Sequence, residues 1–133
     1  MTDSIEYRVL YADTDKMGVV YYANYLRLYE FGRNEFMRQL GFPYHSIELG
    51  GVVCPAVEVH LQYLRSAVFE DVLRIETSLN EMPTASMMFE QKIYRGHQLI
   101  NEARIRLCFV DANTMKPVRC PQLLMEHLKQ LGY

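Results

Sequence analysis

Apolar residues recur at helical spacing through one stretch of this chain and at strand spacing through four others, and each pattern needs a surface to cover it. Between Asn24 and Leu40, the residues Tyr25, Leu28, Tyr29, Gly32, Phe36 and Leu40 fall on one side of a helix. Arg27, Glu30, Arg33, Asn34 and Arg38 occupy much of the other side. Gly41 and Pro43 supply the stop signals. Gly32 lies on the apolar side, where glycine costs about 1 kcal/mol against alanine. Close approach of the helix to a sheet would explain it. Tyr44 to Leu49 reads as a further short helical stretch, ended by Gly50-Gly51.

Past Gly51 the period falls to two. Val57, Val59, Leu61 and Tyr63 alternate with Glu58, His60 and Gln62, and Leu73, Ile75, Thr77 and Leu79 alternate with Arg74, Glu76 and Ser78. The same rhythm runs through Met87–Ile93 and Ala103–Phe109. These strands follow one another over short links, Ser66–Asp71, Glu81–Ala85 and the tight hairpin Arg95-Gly96-His97. Each has one apolar face, which predicts an antiparallel sheet covered on one side. Ile5–Tyr11 reads as a preceding strand, and the segment from Pro121 with Leu123, Leu124, Leu128 and Leu131 as a short amphipathic helix. Only the sheet is large enough to cover the long helix. The expected fold is therefore α+β, with an antiparallel sheet wrapped around one long central helix, in a single domain spanning 1–133. The opposite sheet face carries charges together with Met88, Cys108 and Val110, so a homo-oligomer is expected to cover part of it or to extend the sheet at an edge.

Composition removes several function classes. Fourteen Lys+Arg against sixteen Asp+Glu, with no block of like charge, argues against a nucleic-acid partner. The three cysteines, Cys54, Cys108 and Cys120, form no Cys-x-x-Cys pair and read as small buried thiols in a reducing cytosol. Met1-Thr2-Asp3-Ser4 lacks the character of a signal peptide, and no apolar run is long enough for a transmembrane segment. The expected location is cytoplasmic. His45, His60, His97 and His127 show no metal-ligand spacing, so no metal is expected. There is no Gly-rich phosphate loop and no Gly-x-Ser-x-Gly elbow.

Chemistry concentrates in the loop before the long helix, Asp13-Thr14-Asp15 through Gly18 to Tyr22-Ala23-Asn24-Tyr25. A helix start leaves backbone N–H groups unpaired and carries partial positive charge, so it can hold an oxyanion without a cationic side chain. Asp15 folded back beside those groups would set a base or nucleophile next to an oxyanion hole. With so few groups, the acyl substrate most readily served is a thioester, because a thiolate leaves more easily than an alkoxide or amine. The same residues also serve as a turn and a helix start. Asn24 reads first as an N-cap, Glu30 and Arg33 as an i,i+3 surface ion pair, and Tyr25 and Tyr29 as part of the helix stripe as readily as of an acyl pocket.

The run Tyr11-Ala12-Asp13-Thr14-Asp15-Lys16-Met17-Gly18-Val19-Val20-Tyr21-Tyr22-Ala23-Asn24-Tyr25, followed by Tyr29-Glu30-Phe31-Gly32-Arg33, resembles the signature of the hot-dog-fold acyl-CoA thioesterases, in the subgroup of 4-hydroxybenzoyl-CoA thioesterase and the YbgC-type enzymes. The resemblance covers nearly the whole chain. It implies that Asp15 is the catalytic carboxylate, as nucleophile or as base toward water, and that the Tyr22 N–H polarises the thioester carbonyl. The motif's Gly18, Val19, Val20, Asn24 and Tyr25 would contact substrate. It also implies an active site at the interface of an edge-to-edge dimer, with dimers pairing into homotetramers. No cofactor is implied, coenzyme A being part of the substrate, and the donor is an acyl-CoA or an acyl-carrier protein. Two departures stand out: Tyr22 where many YbgC-type members carry His, and a turn Met82-Pro83-Thr84 without the Arg pair that grips nucleotide phosphates in some aryl-CoA members. Arg65, Lys92, Arg104, Arg106, Lys116 and Arg119 are the available cations, solvated by default. Two other readings keep the fold: an acyl-CoA- or acyl-carrier-binding module without turnover, and a hydratase or dehydratase, which would want a catalytic His beside its acid.

Overall fold

The computed structural model describes residues 1–133. Its elements are β1 (Thr2–Arg8), α1 (Asn24–Leu40), α2 (Tyr44–Leu49), β2 (Val52–Val53), β3 (Ala56–Tyr63), β4 (Val72–Leu79), β5 (Ser86–Arg95), β6 (Gln98–Asp111), β7 (Pro117–Val118) and α3 (Gln122–Gln130). The strands form one antiparallel sheet in the order β1-β4-β5-β6. Beyond β6 lie β3, registered Tyr63 to Asn101, and the short β2, opposite Val110 and Asp111. The hairpin between β5 and β6 turns at Gly96, whose φ of +60° favours glycine.

The sheet wraps α1, whose inward face is sealed. Leu28, Tyr29, Phe36 and Met37 are buried against Ile75, Phe89, Ile93 and Ile105, and the Phe36 and Phe89 rings meet edge to face at 5.8 Å. At Gly32 the helix backbone comes down almost onto β4 and β5. A Cβ there would lie 2.7 Å from Ile75 Cγ2 and 3.0 Å from Thr77 Oγ1, so the interior glycine is required by the close approach. Most of the polar groups buried here are satisfied, Asn101 Nδ2 being left without a partner. Gln91 donates from Nε2 to the Tyr29 carbonyl (2.9 Å) and to Thr77 Oγ1 (2.8 Å), and Tyr29 donates its hydroxyl to Asn101 Oδ1 (2.7 Å). Gly41 ends α1 at φ +90°, and His127 of α3 bonds through Nε2 to the Leu40 carbonyl (2.6 Å), docking α3 on the C-terminus of α1.

Several expectations change. The first strand spans Thr2–Arg8, not 5–11, because Tyr11–Asp13 turns into a short 3-10 helix. The apolar alternation of β3 is not sealed against the helix: Val57, Val59 and Tyr63 are 56%, 44% and 49% exposed, since β3 lies at the sheet's far edge and pairs only with β6. Arg33 makes no ion pair with Glu30; it is buried and donates from Nη1 to Gln91 Oε1 (3.1 Å). Asn24 is not an N-cap. It is the first helical residue, Ala23 precedes it in helical conformation, and its side chain turns back to the loop. No helix is long and apolar enough to cross a membrane.

Candidate active site

The two acids of the loop have opposite fates. Asp13 is buried and fully engaged: its carboxylate accepts from Tyr7 Oη (2.6 Å) and the Leu10 N–H (2.8 Å) and pairs with the Arg27 guanidinium. Its carbonyl accepts from the Tyr21 N–H (2.9 Å) and from Asn24 Nδ2 (2.9 Å). Asp13 thus ties β1, the loop and α1 together. Burial, and secondarily the Asp13 carboxylate, push the Tyr7 phenol up, so it remains a donor.

Asp15 is the less committed acid. An antiparallel bridge between Thr14 and Val20 clasps the loop, the Asp15 N–H donates to the Val19 carbonyl (2.9 Å), and the Gly18 N–H donates to the Asp15 carbonyl (2.9 Å). Gly18, at φ +81°, is the residue that lets the chain reverse. The half-buried Asp15 carboxylate accepts one bond, at Oδ1 from the Met17 N–H (2.8 Å), and Oδ2 has no partner. Tyr21 lies close by: its phenol is pushed up, chiefly by Tyr22, with a smaller contribution from the Asp15 charge.

At the start of α1, the Asn24 N–H bonds to the Tyr21 carbonyl, whereas the N–H groups of Tyr22 and Ala23 have no protein acceptor. No side chain caps the helix. The Tyr22 carbonyl is held by Tyr63 of β3, whose hydroxyl donates to it at 2.9 Å, and the Tyr63 ring packs edge to face on Tyr25 at 5.5 Å. Nothing in the alternation of β3 marks Tyr63 for this role. Of the other motif residues, Gly18 is exposed and Val19 half-buried, while Val20 and Tyr25 are 3% exposed and belong to the core. Val20 donates its N–H to the Ala67 carbonyl (2.8 Å), and Tyr25 Oη accepts from the Ala67 N–H (3.4 Å).

From Ala23 a groove of about 880 Å³ runs along the outward face of α1, over Leu26, Glu30 and Arg33, toward Tyr44 of α2, with Val59 of β3 on its opposite wall. Arg104 and Arg106 lie elsewhere. They alternate with Ala103, Ile105 and Leu107, which face the core, and so project from the far face of the sheet. No cluster of three His, Cys, Asp or Glu side chains is placed to hold a metal ion.

A free carboxylate oxygen, unpaired amides at a helix start and an adjoining groove are the parts needed for acyl transfer to water. The thioesterase-like superfamily model matches residues 9–128. The chain belongs to that family. It is 34% identical over 130 residues to an acyl-CoA thioesterase YbgC of Haemophilus influenzae, covering 95% of this chain and 96% of that one. A probable thioesterase from Bartonella henselae superposes with a TM-score of 0.85 at 30% identity, covering 91% of this chain and 100% of the other. A DHNA-CoA thioesterase from Staphylococcus aureus, at 24% identity, shares the fold with a TM-score of 0.91 over 98% of this chain and 90% of that one. The fold of this superfamily member is the hot-dog fold, with the sheet wrapped around α1.

Proposed function

We propose that the protein is an acyl-CoA thioesterase that hydrolyses a thioester to a carboxylic acid and free coenzyme A, with Asp15 as its catalytic carboxylate. The observation that carries this reading is the contrast inside one clasped loop. Asp13 has every acceptor in use, whereas Asp15 keeps Oδ2 free and the Tyr22 N–H stands without an acceptor. The thioester carbonyl oxygen sits against the Tyr22 N–H at the positive end of α1, where charge developing in the transition state is stabilised. Asp15 attacks the carbonyl carbon to give an acyl anhydride that water then hydrolyses, or draws a proton from the water that attacks directly. The thiolate departs without a dedicated acid, consistent with a thiol pKa near 8.5. The reaction calls for no cofactor.

The exposed edge of β3, with Val57, Val59 and Tyr63, supports assembly of two copies edge to edge. Tyr63 lies on that edge and also holds the Tyr22 carbonyl, so the site adjoins the seam. Three free cysteines fit a cytoplasmic protein. An acyl-carrier protein would present the same thioester chemistry to the site.

Asp15→Asn tests the reading, with thiol release followed across short, long and aromatic acyl-CoAs. The variant is expected to keep its mass in light scattering and to lose most turnover. Near-wild-type release would remove Asp15 from the mechanism, and saturable acyl-CoA binding by the wild type with no release would make the protein a binding module.

A further inference from the structure

Unpaired polar groups sit at both ends of the groove. Tyr44 Oη is buried at the far end without a partner. At the near end the Ala23 N–H has no protein acceptor. The peptide that carries this amide is held from its other side. Its carbonyl, that of Tyr22, accepts no backbone bond, because the Leu26 N–H goes to the Ala23 carbonyl instead. Tyr63 Oη is its one protein donor, at 2.9 Å. The peptide group is planar and trans, so fixing the C=O also fixes the N–H that points the opposite way. A donor on the carbonyl polarises the amide as well, which strengthens the bond its N–H can give.

The mount of this hydroxyl is rigid. Tyr63 ends β3 opposite Asn101 of β6, and just after it the N–H groups of Leu64 and Arg65 both bond to the Ile100 carbonyl at 3.0 Å. Its ring meets those of Tyr22 and Tyr25 edge to face, at 6.4 and 5.5 Å. Burial, and secondarily Tyr22, push the Tyr63 phenol up, so it keeps its proton and remains a donor at neutral pH.

We propose that Tyr63 is a positioning residue for the carbonyl-binding amides: by holding the Tyr22–Ala23 peptide it turns the Ala23 N–H onto the thioester oxygen as a second donor beside the Tyr22 N–H. This rests on the thioesterase reading above. Successive amides at a helix start point the same way along its axis, so two of them can serve one oxygen. That oxygen gains negative charge as the tetrahedral intermediate forms and gives it back when the thiolate leaves. Tyr63 transfers no proton and acts only through the peptide. Its effect falls on the transition state rather than on ground-state binding.

Tyr63→Phe tests this, because it keeps the ring and removes only the hydroxyl. Deleting an oxyanion donor outright costs about 10²–10³ in kcat, and loosening one should cost about tenfold. KM, the melting midpoint and the mass in light scattering should stay unchanged. A second readout needs no turnover. Asp15→Asn is loaded with its tightest binder among acetyl-, hexanoyl-, palmitoyl- and benzoyl-CoA, isotope-labelled at the thioester carbonyl. The infrared carbonyl stretch should lie below its frequency in free solution, and adding Tyr63→Phe should return it part of the way. If the wild type releases no thiol yet the band still moves with Tyr63→Phe, the catalytic reading falls and the role of Tyr63 stands. An unmoved band overturns that role. So does, in an active enzyme, an unchanged kcat or a kcat loss that arrives with a lower melting midpoint or an altered mass.

Discussion

The two faces of α1 are built on opposite terms. Inward, Leu28, Tyr29, Gly32 and Phe36 leave no space along the contact with β4 and β5, where Gln91 bonds both Thr77 and the Tyr29 carbonyl. Outward, the same helix borders a groove of about 880 Å³ and lies near a carboxylate oxygen, two amides and a phenol that have no partners. One helix therefore serves as the keel of the core and as the floor of the site. Groups paired within the protein hold the fold, and the unpaired ones that border the groove are available for chemistry.

Substitutions can separate these roles. On the open side, Asp15→Asn should cost about 10³-fold in kcat, equivalent to about 4 kcal/mol of barrier, with the melting midpoint unchanged. A comparable loss of stability would show that Asp15 also belongs to the framework. On the closed side, Gly32→Val should destabilise by about 3 kcal/mol, read from denaturant midpoints, because even its Cβ collides with Ile75. A neutral result would mean that α1 can lift off the sheet.

At the join of the two faces, Asp13→Asn should cost about 2 kcal/mol. It weakens three bonds at once, although Arg27, with its side chain 52% exposed, limits the ionic share. That loss should appear as a lowered melting temperature and distinguish Asp13 from Asp15, two residues away.

Near neutral pH the thiols should have no effect at all. Burial raises Cys54, on the groove, to about 12 and Cys120, in the core, to about 11, from an ordinary 9.0. A group whose pKa is raised on folding stabilises fully below its unfolded value and loses that contribution as pH climbs through the folded one. Denaturant midpoints should therefore hold up to about pH 9 and decline between pH 9 and 12. Alkylation of both thiols in the folded protein should be slow at pH 8. Rapid labelling of Cys54 alone would show the groove to be wetter than its burial implies.

Much of this division is readable from residue order. The stripe through Leu28, Gly32 and Phe36 and the alternation in β4, β5 and β6 repeat the geometry they adopt, so periodicity reveals them. Gly32 even signals the close approach, since an interior glycine needs a reason. Periodicity does not say which strand ends up at the rim. Val57 and Val59 alternate like Ile105 and Leu107 yet stay exposed, because β3 pairs with β6 at the rim of the sheet, outside the sealed contact with α1. Arg33 reads as a surface cation because its partner, Gln91, lies far along the chain. Asp13 and Asp15 look alike by residue type and spacing; the resemblance singles out Asp15, and the contacts of Tyr7, Leu10 and Arg27 with Asp13 give the physical reason. Tyr44 and Tyr63 carried no advance signal at all, being ordinary aromatics until the chain brings them to the groove and to the Tyr22 carbonyl.

The missing side chain at position 32 also limits how the enzyme could be retuned. A helix seated that tightly cannot slide or roll to welcome a bulkier guest, so the floor behaves as a fixed ruler. Any change of preference among acyl groups must come from the movable wall, where α2 and the outer strand offer Tyr44 and Val59 for replacement.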